Sequence, residues 1–230
     1  MVPEGAVAVP SQPKMNQEET AYRAIIRMIL RKQVRPGDSL LETAIAESLG
    51  LSRTPVSHAL GRLLAEGFLE KRSKRGYVIP FPSPEDARHV FAVRRLMEGE
   101  AAAEAANAIR PEEMAALDRS LKDSDDSVRR RDPEGFSTTN ETFHLGIARL
   151  SRNPYLERYV RQTFWRSNLY IFFFDGFYQR PGNSVPVQKT PDQHRRIVDA
   201  IKAKDAEMAR RCMDEHIAHS YQSLVSALKP

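Results

Sequence analysis

The sequence predicts a mainly α chain: an N-terminal winged helix-turn-helix with a small β-hairpin wing, then a C-terminal antiparallel α-helical bundle. Three observations carry that prediction. Between Leu40 and Gly76 a short amphipathic stretch, a Gly50 turn, a second apolar repeat and a basic hairpin follow one another. The segment Pro80-Phe81-Pro82-Ser83-Pro84 then interrupts the chain with stacked prolines, which resist helix. Beyond it no segment has strand period, and Pro111, Pro133, Pro154 and Pro191 recur where helices would start.

Residues 1–14 mix Pro3, Gly5, Pro10 and Pro13 with small apolar residues, show no period and predict a disordered arm. In the helix-turn-helix, Ala44, Ile45 and Leu49 give the first helix an apolar face, and Gly50 permits the sharp turn after it. Ser52 is placed to cap the second helix, and Pro55 falls in its first turn, where a missing N–H costs nothing. Val56, Ala59, Leu60, Leu63 and Leu64 repeat behind it at helical spacing. The opposite face carries Arg53, Thr54, Ser57, His58 and Arg62, so its donors and acceptors can meet base edges in a major groove. After Gly67 the period changes. Phe68 to Lys71 and Tyr77 to Ile79 read as two strands around the basic tip Arg72-Ser73-Lys74-Arg75-Gly76, which suits a phosphate or a minor groove.

Ser83 is expected to cap the first bundle helix, with Pro84, Glu85 and Asp86 in its first turn. Helices are expected at about 84–108, 111–131, 133–150, 153–175, 191–203 and 205–228, with a long loop from Asp175 to Thr190. The Ala-rich run Glu100 to Ala106 favours close helix packing. Phe172-Phe173-Phe174 with Trp165, Tyr170 and Phe177 reads as core or subunit-interface packing, with a binding-pocket wall as the alternative, being too short to span a membrane. The expected organisation is a disordered arm at 1–14, a DNA-binding domain at 15–80, a linker at 81–84 and an all-helical domain at 85–230.

At 230 residues and 41% apolar, the chain can hold two domains, each with its own core. The net charge of +5 is unevenly placed. Residues 1–80 hold 12 Lys and Arg against 8 Asp and Glu, leaving 23 against 22 for the rest, so the excess lies on the DNA-binding end. The single cysteine, Cys212, and the lack of a secretory or spanning apolar run point to the reducing cytoplasm and to no membrane association. Because one recognition helix reads only a few base pairs, a homodimer on matching half-sites is expected.

Within the bundle, Asn140 and His144 are four residues apart and share a helix face, while His194 and His216 lie on the two last helices. Three imidazoles and an amide oxygen that converged would make a divalent metal site with open positions. The alternative for each is an ordinary surface or hydrogen-bonded histidine, and His58, His89 and His219 are read that way with respect to a metal.

The stretch from Pro36-Gly37-Asp38-Ser39-Leu40 through Ser52-Arg53-Thr54-Pro55-Val56 to Glu66-Gly67-Phe68 and Arg75-Gly76-Tyr77-Val78 resembles the DNA-binding domain of GntR-type transcription regulators. Two positions depart from that pattern: Ser57-His58 stands where the family usually has Arg-Glu, and Thr43 occupies a position often used for an Arg contact. The resemblance implies DNA contacts from Thr43, Ser52, Arg53, Thr54, Ser57, His58, Arg62, Lys74, Arg75 and Gly76. Residues 84–228 resemble the FCD ligand-binding domain of the fatty-acid-regulator-like subgroup, through Val93-Arg94-Arg95-Leu96-Met97-Glu98, Asn140-Glu141-Thr142-Phe143-His144, Ser151-Arg152-Asn153-Pro154 and His194 to Ile201. That resemblance implies a metal held by Asn140, His144, His194 and His216, its identity open among Zn, Ni, Mn and Fe. It also implies a small organic acid bound on the metal by its carboxylate, with Arg94 assisting. The alternative for Arg94 is an ion pair with Glu98. Asn140 departs from the Asp common in relatives, leaving the metal's charge less compensated by protein.

Together these readings imply a ligand-responsive, homodimeric repressor on an inverted-repeat operator, and not an enzyme. The alternatives are a metal-dependent enzyme, against which no Glu or Asp general base is evident beside the histidines, and a pure metal-ion sensor.

Overall fold

The computed structural model describes residues 16–72, 76–81, 83–130, 132–174 and 185–227. The arm at 1–14 lies outside them, as do Lys74 and Arg75 of the basic tip.

The first helix, α1 (Gln17–Leu30), precedes the motif on which the sequence reading rests. Asn16 caps it, accepting from the Glu18 amide at 3.2 Å, and Glu18 and Glu19 sit at the positive end of its dipole. Ala21, Tyr22, Ile25, Ile26 and Ile29 form one buried stripe, directed partly onto the recognition helix. Next come β1 (Ser39–Leu40), α2 (Glu42–Leu49) and α3 (Arg53–Ala65).

Gly50 takes a left-handed conformation (φ 63°) that closes α2, as the turn requires. The apolar face of α2 differs from expectation: Ile45 and Ala46 are buried, while Ala44 points to solvent. Ser52 occupies the N-cap position of α3, but its side chain makes no capping bond. Val56, Ala59, Leu60 and Leu63 are buried, as their spacing predicts.

The wing is a three-stranded antiparallel sheet of order β1-β3-β2, from β2 (Glu70–Arg72) and β3 (Gly76–Val78), with Arg72 opposite Gly76. The extra strand β1 is two residues long and leaves no period to read. Gly37 (φ 90°) donates its amide to Ile79 O at 2.8 Å, and the Phe81 ring lies where a Cβ would stand.

The bundle comprises α4 (Pro84–Ala108), α5 (Pro111–Arg129), α6 (Pro133–Leu150), α7 (Pro154–Phe174), α8 (Val185–Lys202) and α9 (Ala206–Ala227). Ser83 caps α4, accepting from the Asp86 amide at 3.3 Å. Ala101, Ala102, Ala103, Ala105 and Ala106 are buried, and their small side chains let α4 pack against α6, α7, α8 and α9. The start of α8 is a correction: it begins at Val185 and carries Pro191 inside it. Pro186 falls in its first turn, so two prolines compete as the start signal and the earlier one prevails.

Separate cores for the two domains are not what forms. One apolar cluster runs from Tyr22, Ile25, Leu60 and Phe68 into Leu145, Ala148, Phe164 and Trp165 of the bundle. Trp165 sits at the seam, 4.8 Å from the Phe68 ring and 6.4 Å, edge-on, from the Tyr22 ring. Polar contacts border it: Arg23 donates to Glu141 at 3.0 Å, Arg31 to Glu134 at 2.6 Å and Arg166 to Gly67 O at 3.1 Å. A second cluster fills the bundle around Phe91, Phe143, Ile197 and Met213. Tyr170 belongs to it, as aromatic packing predicts, whereas the side chains of Phe172 to Phe174 and Phe177 lie outside the described residues. Among the described residues no helix is long and apolar enough to cross a membrane.

Candidate metal centre and nucleic-acid face

Three helices bring three imidazoles to one point. His144 on α6, His194 on α8 and His216 on α9 are all buried, and their ligating nitrogens lie within 4.8 Å of one another. The Nε2 atoms of His144 and of His194 each stand 3.3 Å from Nε2 of His216. Nitrogens about 2.0–2.1 Å from a tetrahedral zinc would stand about 3.3 Å apart, so this donor set fits a divalent ion.

The outer nitrogens fix the ring orientations. His144 Nδ1 contacts Glu98, and His216 Nδ1 lies 3.0 Å from Gln193 Oε1. Each acceptor holds the proton on Nδ1 and leaves an Nε2 lone pair facing inward. The His194 ring stacks on Phe143, with centroids 3.7 Å apart and planes at 12°.

Burial lowers the pKa of all three histidines and, for His194 and His216, neighbouring imidazoles lower it further; Glu98 opposes this at His144 only in part. All three are therefore neutral near pH 7, the form that ligates metal.

Glu98 is the carboxylate that the sequence reading missed beside the histidines. Its burial would raise its pKa, but Arg94 and His144 overcome that and hold it at about 2. It is an ion at neutral pH and a weak base, placed to orient His144 rather than to accept a proton from substrate. The signal for it in the sequence is its i,i+4 spacing from Arg94. Arg94 forms the ion pair with Glu98 that was its alternative reading: Nε donates to Glu98 at 2.5 Å and Nη1 to Ser167 at 2.8 Å, and the residue also lines the histidine cavity. Asn140 lines that same cavity, and so does His219, which the sequence reading set aside.

These lowered pKa values fix a sign. The unfolded chain takes up protons at three histidines near pH 6.5 that the folded metal-free chain does not. Stability of metal-free protein is thus expected to be fully present above about pH 6.5 and to fall as the pH drops below it. Glu98 adds a loss in the same direction from about pH 4.5 down towards pH 2. Thermal melts of metal-free protein from pH 7.5 to 5 check this; an unchanged midpoint would contradict it.

The second face lies on α2 and α3. Thr43, Ser52, Arg53, Thr54 and His58 are exposed and Ser57 is half-buried. Arg53, Thr54, Ser57 and His58 line an open groove with Glu42, which accepts from Ser57 Oγ at 3.0 Å and lies 3.8 Å from the Arg53 guanidinium. Arg62 turns inward instead. It lies 3.8 Å over the Tyr22 ring and donates to Glu19 at 2.8 Å and Glu66 at 3.1 Å, so it braces α3 against α1. Gly76 opens β3 at the wing, with φ 66°.

Comparison with known proteins finds a family match at each end of the chain. Residues 89–219 match the FCD domain, and residues 17–79 match the bacterial regulatory proteins of the gntR family. The HTH-type transcriptional regulator McbR of Escherichia coli is 27% identical over 82% of this chain and 86% of its own. YdhC of Bacillus subtilis, an HTH-type transcriptional regulator, is 24% identical over 90% of this chain and 91% of its own. The HTH-type transcriptional repressor RspR of Escherichia coli is 24% identical over 94% of this chain and 90% of its own. The solved structure of E. coli McbR/YncC superposes with a TM-score of 0.79 at 23% identity, covering 94% of this chain and all (100%) of that one, and so shares the fold. The chain therefore belongs to the gntR family of bacterial regulatory proteins and is a transcription regulator with an FCD domain.

Proposed function

We propose that this regulator is a homodimeric repressor that binds an inverted-repeat operator through residues 15–80 and releases it when a small organic acid enters the metal-assisted pocket of residues 85–230. Thr43, Ser52, Arg53, Thr54, Ser57 and His58 on α2 and α3 would contact DNA, with Lys74, Arg75 and Gly76 of the wing on the phosphates. Arg62 supports the recognition helix from behind. Asn140, His144, His194 and His216 would hold a divalent ion, Zn, Ni, Mn or Fe. Such an ion, when bound, supplies a Lewis-acidic seat for a carboxylate. Arg94 lines the same cavity and would pair with that anion. The repressor sense is the one that RspR's name carries.

The observation that carries this reading is the double role of α6. One face bears Asn140 and His144, which line the cavity, and another bears Glu134 and Glu141, which pair with Arg31 at the C-cap of α1 and with Arg23 within it. Helix α1 packs in turn on α3, through Glu19, Arg62 and the Tyr22 ring. A shift of α6 on ligand binding therefore reaches the recognition helix chiefly through the pair of buried Glu141 with half-buried Arg23, giving the two arrangements of unequal DNA affinity that linkage requires.

Arg53→Ala is expected to cost about 1–3 kcal/mol in specific DNA binding and to relax preference at one or two base positions, as removal of a base-contacting Arg does. Affinity for a duplex selected from a random library checks it, and unchanged affinity would remove Arg53 from the interface. Arg23→Ala is expected to leave metal content unaltered while reducing the effect of a bound acid on DNA affinity. Equal ligand response in wild type and variant would contradict the α6 route.

A further inference from the structure

Ser57 and Glu42 meet across the helix-turn-helix. Ser57 Oγ, on the second turn of α3, donates to Glu42 Oε1 at 3.0 Å, and both residues are half-buried in the groove they line with Arg53, Thr54 and His58. Glu42 opens α2, where an acid favours the helix dipole, but that role needs no bond to Ser57. Its second oxygen, Oε2, stands 3.8 Å from the Arg53 guanidinium, beyond hydrogen-bond length, and the Arg53 side chain is 70% exposed. Arg53 is thus free to reach outward, while the Ser57 hydroxyl is held.

That bond sets what Ser57 has left to offer. A hydroxyl has one proton and two acceptor lone pairs, and a carboxylate has no proton to give, so the Ser57 proton is committed to Glu42. Only lone pairs remain for a third group. In the major groove adenine N6 and cytosine N4 are amino donors, whereas guanine O6 and N7 and thymine O4 are acceptors. An acceptor-only hydroxyl matches the amino groups and opposes the acceptors. Arg53 has the reverse polarity, since a guanidinium only donates, and it matches guanine. Helix α3 therefore carries a donor and an acceptor one turn apart, about 6 Å along its axis.

We infer that Glu42 is a positioning residue that sets base specificity through Ser57: by taking the hydroxyl proton it makes Ser57 a reader of amino-bearing bases, so that each half-site carries adenine or cytosine where Ser57 faces it. This rests on the placement of the α2 and α3 face on DNA. Its addition is the polarity of one contact, imposed on the recognition helix by a carboxylate of the helix before it. Guanine or thymine at that position would set lone pair against lone pair and leave the Ser57 oxygen unpaired.

The test is selection of duplexes from a random library by the full chain, followed by anisotropy on the selected duplex and its single-base variants, for wild type, Ser57→Ala, Glu42→Gln and Arg53→Ala. Ser57→Ala identifies the position by losing preference there. Wild type is expected to favour adenine or cytosine at that position over guanine or thymine about fivefold, the size of one neutral hydrogen bond. In Glu42→Gln, which keeps the side-chain shape, the amide donates or accepts and lets the hydroxyl turn either way, so that ratio is expected to approach one. The preference that Arg53→Ala removes is expected to persist in it. If Glu42 served helix stability alone, Glu42→Gln would weaken all duplexes alike and keep the ratio, which would overturn the inference. Guanine or thymine preferred at the Ser57 position, or no position altered in Ser57→Ala, would also overturn it, and the DNA-face reading would stand as long as Arg53→Ala loses a position. No sequence preference in wild type would overturn that reading and the inference with it.

Discussion

Replacing His144 and His194 together by alanine is expected to reduce bound metal from near one equivalent per chain to near none, measured by elemental analysis after gentle purification. The two substitutions leave His216 and Asn140, and one imidazole with one neutral amide is a poor divalent site. The same variant carries a second signature. Because the folded chain holds both histidines neutral by burial, deleting them removes two of the three groups that penalise folding below about pH 6.5. The stability of the metal-free variant should therefore depend less on pH between 7.5 and 5 than that of wild type. Equal metal content in the two proteins would place the ion elsewhere. Equal pH dependence would show that the imidazoles take up protons freely in the folded chain.

Trp165→Ala is expected to cost about 3–5 kcal/mol, the range for deleting a fully buried large aromatic side chain. In a chain of this length that corresponds to a fall of about 6–20 °C in Tm. Trp165 is 1% exposed and packs on Phe68 and Tyr22 from the DNA-binding end and on Phe164 of its own helix. Its indole N–H has no partner among the described residues, so its contribution is packing. The location predicts more than a lower midpoint. With one core running across the boundary, wild type should melt in a single transition, and the variant should separate into two as the domains lose their common cluster. A small change confined to one transition would show that the two ends are stabilised independently.

Much of this architecture is legible in the sequence because its signals are local. Gly50, Pro55 and the apolar repeat from Val56 to Leu63 specify a turn and a helix by backbone freedom and period alone, and Ser83-Pro84 specifies a helix start in the same way. Pro191 misleads for the same reason, since local rules cannot say which of two nearby prolines begins a helix. The two-residue strand β1 is held by its pairing with β3 and leaves no trace in period. The shared core is not legible either: Phe68 and Trp165 are far apart in the chain, and nothing local says that one covers the other.

The histidine site divides along the same line. His144 is found from its spacing to Asn140 and its resemblance to a known motif, and His194 and His216 from resemblance. Glu98 is legible only as an ion-pair partner of Arg94, because the histidine it orients is on another helix, and His219, three residues beyond His216, has no partner legible in the sequence. Arg62 shows the converse. Its place on the polar side of α3 points to DNA, yet Tyr22 and two carboxylates on the inner side attract its guanidinium more effectively than solvent does.

The central claim is that a ligand in the bundle sets the affinity of the recognition helices for DNA. Fluorescence anisotropy of zinc-loaded full chain on a duplex selected from a random library, titrated with and without malate, tests it most directly. The account predicts tight binding to a duplex with inverted half-sites about one helical turn apart, weakened about tenfold by saturating acid and unaffected by it in the His144→Ala/His194→Ala variant. Sequence-selective binding that acid leaves unchanged, or that it weakens equally in that variant, would contradict the account.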